Sequence, residues 1–262
     1  MIPSISKIKT AVILAAGMGI RLRNVTGLFP KGLLEIGGKS LISRSLECLK
    51  NEGIDRAIIV TGFQQSHYHE HLHHLAVSPE LEFVHNNQFA DTGSMHSLFV
   101  AKNYIKEDFL LLESDLLYES RALHSVINFE GPDVVLASGK TKSGDEVYIY
   151  GNKSEDKTDK ITKGSVVRGE ITAISKKPIP GLSLQGELVG ISKISLKLLS
   201  EMCEYHETYP EFPCNRHYEE YISDLCSKTE IPFLRVGDLV WTEIDDQSHY
   251  ERALKEILPK LI

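Results

Sequence analysis

The stretch that most constrains this chain is LAAGMGIRL, residues 14–22, which follows the apolar run Ala11, Val12, Ile13. A buried strand that breaks at once into small residues and glycines, then meets Arg21 and Arg23, is a backbone built to approach an anion. Ala15, Ala16, Gly17 and Gly19 leave main-chain amides uncovered, so several N–H groups can converge on one polyphosphate, and Arg21 adds a planar fork of charged donors. With Leu14 and Met18 they form a candidate nucleotide-binding loop. The two commonest phosphate loops are disfavoured. Leu22 stands where the dinucleotide GxGxxG wants a third small residue, and no GxxxxGK[ST] spacing is present.

A chain of 262 residues can bury a full core, and 42% hydrophobic with 25% charged residues are ordinary globular values. A net charge of -7 and a pI near 5.9 argue against a general nucleic-acid partner while leaving room for a local basic pocket. Cys48, Cys203, Cys214 and Cys226 form no CxxC pair and read as reduced thiols of a cytoplasmic protein. Lys7 and Lys9 precede AVILAAG as they would in a leader, but the run is short and enters GIRLR, so a secretory signal is not expected. Nothing approaches the roughly 20 apolar residues of a membrane span.

Ser40 opens LISRSLECLKNEG with apolar residues near helical spacing and Gly53 as the stop. Strands are expected at 56–62, 81–86 and 109–115, with helices across 65–75 and from Ser94 to Asn103. Such alternation implies a Rossmann-like α/β fold: a mixed, mostly parallel central sheet flanked by helices, with ligands at the carboxyl ends of the strands. DVVLAS (133–138) continues the core. Residues 145–192 then read as short extended runs punctuated by Gly and Pro, a β-rich excursion walling the acceptor side of the cleft. KSEDKTDKITKG within it reads as a solvated hairpin tip or mobile loop. Helices at 195–207 and 215–227, a strand near 239–245 and a final helix 247–258 complete a single domain. Its parts are a nucleotide-binding core over 1–140, an acceptor-binding half over 141–240 and a return strand and helix over 241–262.

Asp115 ends the apolar strand FLLLESD and Asp245 ends VWTEID in the same manner. With both strands in the central sheet the two carboxylates emerge at one edge, an arrangement suited to Mg²⁺. Glu113, Glu243 and Asp246 are neighbours able to substitute, and Asp246 also fits a cap on the last helix. Five histidines crowd 67–74, at His67, His69, His71, His73 and His74. HExxH spacing fails there, and a solvated helix face is expected rather than zinc.

LAAGMGIRL followed by FPKGLLEIGGK resembles the signature of the sugar-nucleotide type nucleotidyltransferases, which move NMP from an NTP onto a phosphorylated acceptor. The resemblance implies that Asp115 and Asp245 hold Mg²⁺ on the nucleotide phosphates. Lys31, fixed by Pro30, then holds the α-phosphate and the incoming oxygen together, and Arg21 stabilises the β- and γ-phosphates, with Arg23 and Lys39 as weaker candidates. ADTGSMHSL (90–98) looks like the base and ribose reader of the cytidylyltransferase branch, which points to CTP and to Thr92, Gly93, Ser94 and Ser97 at a helix start.

Overall order, TGSMHSL, ESDLLYE and WTEIDDQSHYERALKEIL are most similar to the phosphocholine and 2-aminoethylphosphonate cytidylyltransferases. A choline head wants an aromatic cage, for which Trp241, Tyr148 and Tyr150 are available; a primary ammonium wants carboxylates, offered by Glu170, Glu187 and Asp224. The balance favours aminoethylphosphonate, a small zwitterionic acceptor. Relatives of this type occur fused to further enzymes, and the sequence leaves fusion and oligomeric state open.

Overall fold

The computed structural model describes residues 8–27, 29–158, 165–209 and 213–261. In chain order it contains β1 (Thr10–Ala15), α1 (Arg23–Thr26), β2 (Glu35–Ile36), β3 (Lys39–Ser40), α2 (Leu41–Asn51), β4 (Arg56–Thr61), α3 (Gln65–Leu72), β5 (Glu80–His85) and α4 (Ser94–Ala101). There follow β6 (Phe109–Glu113), β7 (Leu116–Tyr118), α5 (Arg121–Ile127), β8 (Val134–Ser138), β9 (Tyr148–Thr158), β10 (Ser165–Ser175) and β11 (Leu184–Ile194). The chain closes with α6 (Leu196–Thr208), α7 (Tyr218–Leu225), β12 (Pro232–Val236), β13 (Trp241–Glu243), α8 (Gln247–Arg252) and α9 (Leu258–Leu261), the last two joined by a π turn.

The first half follows from its periodicities. Along β1 the side chains alternate between faces: Ala11, Ile13 and Ala15 pack with α2, α3 and α5 on one side, while Val12 and Leu14 pack with α4, α6 and α7 on the other. Both faces are apolar because both are covered by helices, which makes the strand a continuous hydrophobic run. Ser40 caps α2 by accepting the Ser43 N–H at 3.3 Å, and Gly53 ends the segment at φ +85°. Strands β5, β4, β1 and β6 pair in parallel, as their crossover helices require.

The β-rich second half, expected as an excursion on the acceptor side, is continuous with the central sheet. Strands β9, β10 and β11 belong to the same nine-stranded sheet, whose order is β5-β4-β1-β6-β11-β8-β12-β10-β9. Strand β9 pairs antiparallel with both β10 and β11. Strand β11 is the hinge of the mixed sheet, running antiparallel to β6 on one side and to β8 on the other. Of KSEDKTDKITKG, residues 153–158 belong to β9, and residues 159–164 lie outside the described residues.

Strand β13 departs from expectation. It is not in the central sheet; it pairs antiparallel with β7 as a short ribbon, Glu243 facing Leu116. A third apolar cluster, Leu22, Ile36, Leu41, Leu117, Ile244, Ala253 and Ile257, clamps this ribbon and the C-terminal helix onto the exit of the glycine loop. Burial of these side chains thereby brings the end of the chain to its beginning. Among the described residues no helix is long and apolar enough to cross a membrane.

On the α4/α6 side, His96 Nδ1 and His206 Nε2 lie 3.2 Å apart, and His206 Nδ1 is 2.8 Å from the Tyr221 hydroxyl. Burial lowers both imidazole pKa values below their ordinary 6.5, and at His206 the neighbouring His96 adds to it. The unfolded chain therefore binds protons first on acidification. Thermal stability is expected to fall as pH drops below about 6.5 toward the lowered folded values, and His206→Gln is expected to flatten that slope in a pH series of melting temperatures.

Candidate active site

The glycine loop leaves β1 with Ala16 still buried; the Ala16 carbonyl accepts the Phe63 N–H at 3.1 Å. Gly17 follows, exposed, with no atom within 4 Å of the place a Cβ would occupy, so its backbone is open to a guest. Gly19 has φ +56°, and a Cβ there would sit 2.4 Å from Lys31 Cγ. Only glycine lets the lysine stem cross the loop so closely. Pro30, at φ -61° and ψ 144°, turns the chain into the short 3₁₀ turn Lys31–Leu33 and aims Lys31 inward. Leu14, Ala16, Gly17 and Lys31 line one cleft; the Ala15 side chain belongs to the core, and Met18 and Gly19 stand beside the cleft without lining it.

The Lys31 ammonium is held between two carboxylates, contacting Asp115 and lying 2.5 Å from Asp245 Oδ1. Asp245 Oδ2 is 3.1 Å from Arg21, whose other nitrogen donates to Asp145 at 2.6 Å. A backbone hydrogen bond, Ile244 N–H to the Asp115 carbonyl at 3.1 Å, ties the two strand ends together. So Asp115 and Asp245 do meet, although through the β7–β13 ribbon and not through the central sheet. Burial works against the Lys31 charge, but Asp115 and Asp245 overbalance it and raise its pKa. Burial likewise pushes Asp245 up, and Lys31 overbalances that to hold it well below the usual carboxylate range.

Two further carboxylates complete the group. Oxygens of Glu113, Asp115 and Glu243 lie within 4.8 Å of one another, and Asp115 Oδ1 is buried with no hydrogen bond. Burial, then Asp115 and Glu219, push Glu113 up to about 8; burial, then Asp115 and Glu113, push Glu243 well above its ordinary value. Like charges this close want a cation, and three hard oxygens with one orphaned acceptor fit a divalent ion. Asp245 stands beside this trio with its oxygens on Lys31 and Arg21, while Asp246 caps α8 by accepting the His249 N–H at 2.9 Å. The pairing of Glu113 with Glu243 had a sequence signal: both strands end in E-x-D, and period-two alternation puts such residues on one face.

Thr92, Gly93, Ser94 and Ser97 all line the cleft at the start of α4. Buried Asn86, which sequence reasoning passed over, donates to Thr92 Oγ1 and to Ser97 Oγ, each at 3.1 Å. Ser94 Oγ accepts the Tyr218 N–H at 3.1 Å, and a Cβ on Gly93 would fall 2.1 Å from the Arg216 carbonyl oxygen. The turn is therefore seated directly on the chain that enters α7.

The proposed acceptor residues separate. Glu187 lines the cleft, its two oxygens each 2.8 Å from the Thr141 N–H. Tyr148 is its register partner across β9 and β11 but does not line the cleft. Glu170 is exposed on β10, turned outward while Ile171 packs in the core. Asp224 is bound to Arg216 at 2.6 Å in a second groove beside the cleft. Tyr150 is buried and accepts the Ile179 N–H, whereas Trp241 lines the cleft. Arg23 is exposed, and Lys39 pairs with Glu47 at 2.6 Å. Of the histidines, His69, His71, His73 and His74 are exposed and His67 is half-buried; His71 lies 3.0 Å from Ser40 Oγ, and the His69 and His67 rings lie against Phe83 and Phe29.

An open glycine loop and a buried lysine among carboxylates, set at the strand ends of an α/β sheet, make this a phosphate-handling transferase. The profile of the nucleotidyl transferase family matches residues 10–163, more than half of the chain, and the chain belongs to that family of enzymes. It is 25% identical over 260 residues to the bifunctional IPC transferase and DIPP synthase of Aquifex aeolicus, covering 97% of this chain and 53% of that one. It is 26% identical over 262 residues to the CTP:phosphoglutamine cytidylyltransferase of Campylobacter jejuni, covering 94% and 99% respectively. The chain thus spans about half the length of the first relative and nearly all of the second. The inositol-1-phosphate CTP transferase structure from T. maritima superposes with a TM-score of 0.79 at 21% identity, over 98% of this chain and 97% of that one; at that identity the likeness speaks for the fold alone.

With its pKa pushed up to about 8, Glu113 must take up a proton on folding at neutral pH, and Glu113→Gln removes that cost while keeping shape. The metal-free protein is expected to gain on the order of 1 kcal/mol, a rise of about 2–4 °C in Tm, measured by thermal denaturation in EDTA. A fall in Tm there counts against the cluster being an unrelieved one.

Proposed function

We propose that this enzyme transfers a cytidylyl group from CTP to a small phosphonate or phosphate ester bearing an ammonium group, with 2-aminoethylphosphonate the best-fitting acceptor, and releases pyrophosphate. The observation that carries the reading is the Lys31 ammonium lodged between Asp115 and Asp245 where the glycine loop meets the cleft. CTP is supported by Thr92, Gly93, Ser94 and Ser97 of the TGSMHSL turn, which line the same cleft, and by the cytidylyltransferase relative whose name specifies it. The zwitterionic acceptor is supported by the acidic lining at Glu187, Glu146 and Glu219, against a single tryptophan. Trp241 favours phosphocholine as the second reading.

On this reading residues 1–140 seat the nucleotide and 141–240 the acceptor, in an enzyme that works where CTP is made, in the cytoplasm. Glu113, Asp115 and Glu243 would hold Mg²⁺, with Asp245 available once Lys31 turns to substrate. Bound there, the ion supplies Lewis-acid neutralisation of the triphosphate. Lys31 holds the α-phosphate against the acceptor, Arg21 takes the β- and γ-phosphates, and amides of residues 15–19 fix the chain of phosphates. A phosphate monoester loses its second proton near pH 6 and a phosphonate acceptor is also at least partly ionised at pH 7, so the attacking oxygen needs no general base. Its attack on the α-phosphorus forms one P–O bond as the bond to the pyrophosphate oxygen breaks.

Lys31 is a load on the fold as well as a catalyst. Its loss leaves Asp115 buried without a cation and Asp245 with Arg21 alone, so Lys31→Met is expected to lower turnover at least about a hundredfold and to reduce stability too. A pyrophosphate-release assay with each of the four NTPs and a panel of acceptors tests the assignment. Turnover with UTP or dTTP and a sugar phosphate, and none with CTP, overturns it.

A further inference from the structure

We infer that Glu219 receives the positive end of the acceptor, and that this chain therefore selects ammonium-bearing acceptors over neutral ones of the same shape. The inference rests on the cytidylyl-transfer reading above and adds the residue that sets its specificity. Glu219 lies in the first turn of α7, is only 8% exposed, and still lines the cleft. Its Oε2 carries no hydrogen bond. A buried carboxylate oxygen left without a donor is costly, and a fold that keeps one facing a cleft has room for a donor that arrives from outside.

Apart from Glu146, the other carboxylates of the region are committed. Glu187 directs both oxygens to the Thr141 N–H, and Asp224 is paired with Arg216. Glu113, Asp115 and Glu243 form the close trio suited to a divalent ion, and Glu219 is not among them. One carboxylate by itself is a poor site for Mg²⁺, which takes several oxygens, and a good one for a monovalent organic cation. Lys176 and His217 are the basic side chains nearest in effect to Glu219, but both are exposed at the rim and neither forms an ion pair with it among the described residues.

Position supports the same role. Val147, Lys176, His217 and Glu219 line both the cleft and the adjoining groove, so Glu219 stands at the junction where an acceptor enters. From there a line of acidic groups leads inward: Glu219 is near enough to Glu113 to help raise its pKa, Glu113 lies beside Asp115, and Asp115 contacts Lys31. An acceptor with its phosphonate at Lys31 and its ammonium at Glu219 matches the charge at both ends.

The test is steady-state pyrophosphate release with CTP and Mg²⁺, comparing 2-aminoethylphosphonate, phosphocholine and 2-hydroxyethylphosphonate on the wild type, Glu219→Gln and Glu219→Asp. The wild type is expected to prefer the amine over its hydroxyl counterpart by at least about tenfold in kcat/KM. Glu219→Gln is expected to abolish that preference through the acceptor KM, leaving the KM for CTP unchanged, and Glu219→Asp to keep part of it. Equal kcat/KM for amine and hydroxyl in the wild type, or an undiminished preference in Glu219→Gln, overturns the role of Glu219 while the transfer reading stands. Absence of any turnover with CTP overturns both. If the glutamine variant does not fold, the wild-type comparison still decides.

Discussion

The Lys31 ammonium is the counter-charge on which the centre of this molecule depends. Around it five carboxylates, Glu113, Asp115, Glu219, Glu243 and Asp245, line or approach one cleft, and most of their oxygens are removed from bulk water. Two basic side chains, Lys31 and Arg21, answer them directly. Such an excess of buried negative charge is tolerable only because the apolar framework behind it is fixed: Leu110, Leu111 and Leu112 of β6 and Ile191 and Ile194 of β11 are fully buried. The strands supply rigidity, and their ends carry the repulsion. A protein arranged in this way is at its least comfortable when its cleft is bare, which is the electrostatic form of complementarity to a charged guest.

The topology explains how residues 130 positions apart in sequence come to share one lysine. Asp115 follows β6 in the middle of the sheet, whereas Asp245 arrives on a ribbon strand that the sheet does not contain. What delivers it is burial of Leu22, Leu117, Ile244 and Ile257 in one cluster, so the C-terminal helix serves the site by packing and not by chemistry. Strand β11 does comparable work from the other side. By pairing with β6 it places Glu187 of the antiparallel half beside the ends of the parallel half, and the two halves share a single cleft.

Much of this was legible in the sequence, and the exceptions have a common cause. Local patterns identified most of the longer strands and helices, though not α5 or the central-sheet strand β12, together with the Ser40 and Asp246 caps and the loop, lysine and aspartates that gather at the cleft, because each is encoded within a few neighbouring residues. Pairing is not. Nothing in VWTEID says whether it joins the large sheet or a ribbon, and nothing in 148–194 says that β11 inserts between β6 and β8. Acceptor residues chosen by type alone scattered for the same reason: Glu170 turned outward on its strand, Asp224 found Arg216, and Tyr148 stopped short of the cleft. Glu219 was overlooked because its neighbour Glu220 and the capping box at His217 make it read as one more acid in a helix's first turn.

The seating of Gly93 and Ser94 on the chain entering α7 has a consequence for how the two substrates speak to each other. The serine hydroxyl accepts from the Tyr218 amide, and the glycine lies against the Arg216 carbonyl with no space for a side chain. Whatever settles the turn at 92–97 thus also settles the first turn of α7 and the acids it carries. Occupancy of one compartment then changes the entropy left to be lost in the other, so the two ligands should bind with reciprocal coupling, without any large movement of the chain.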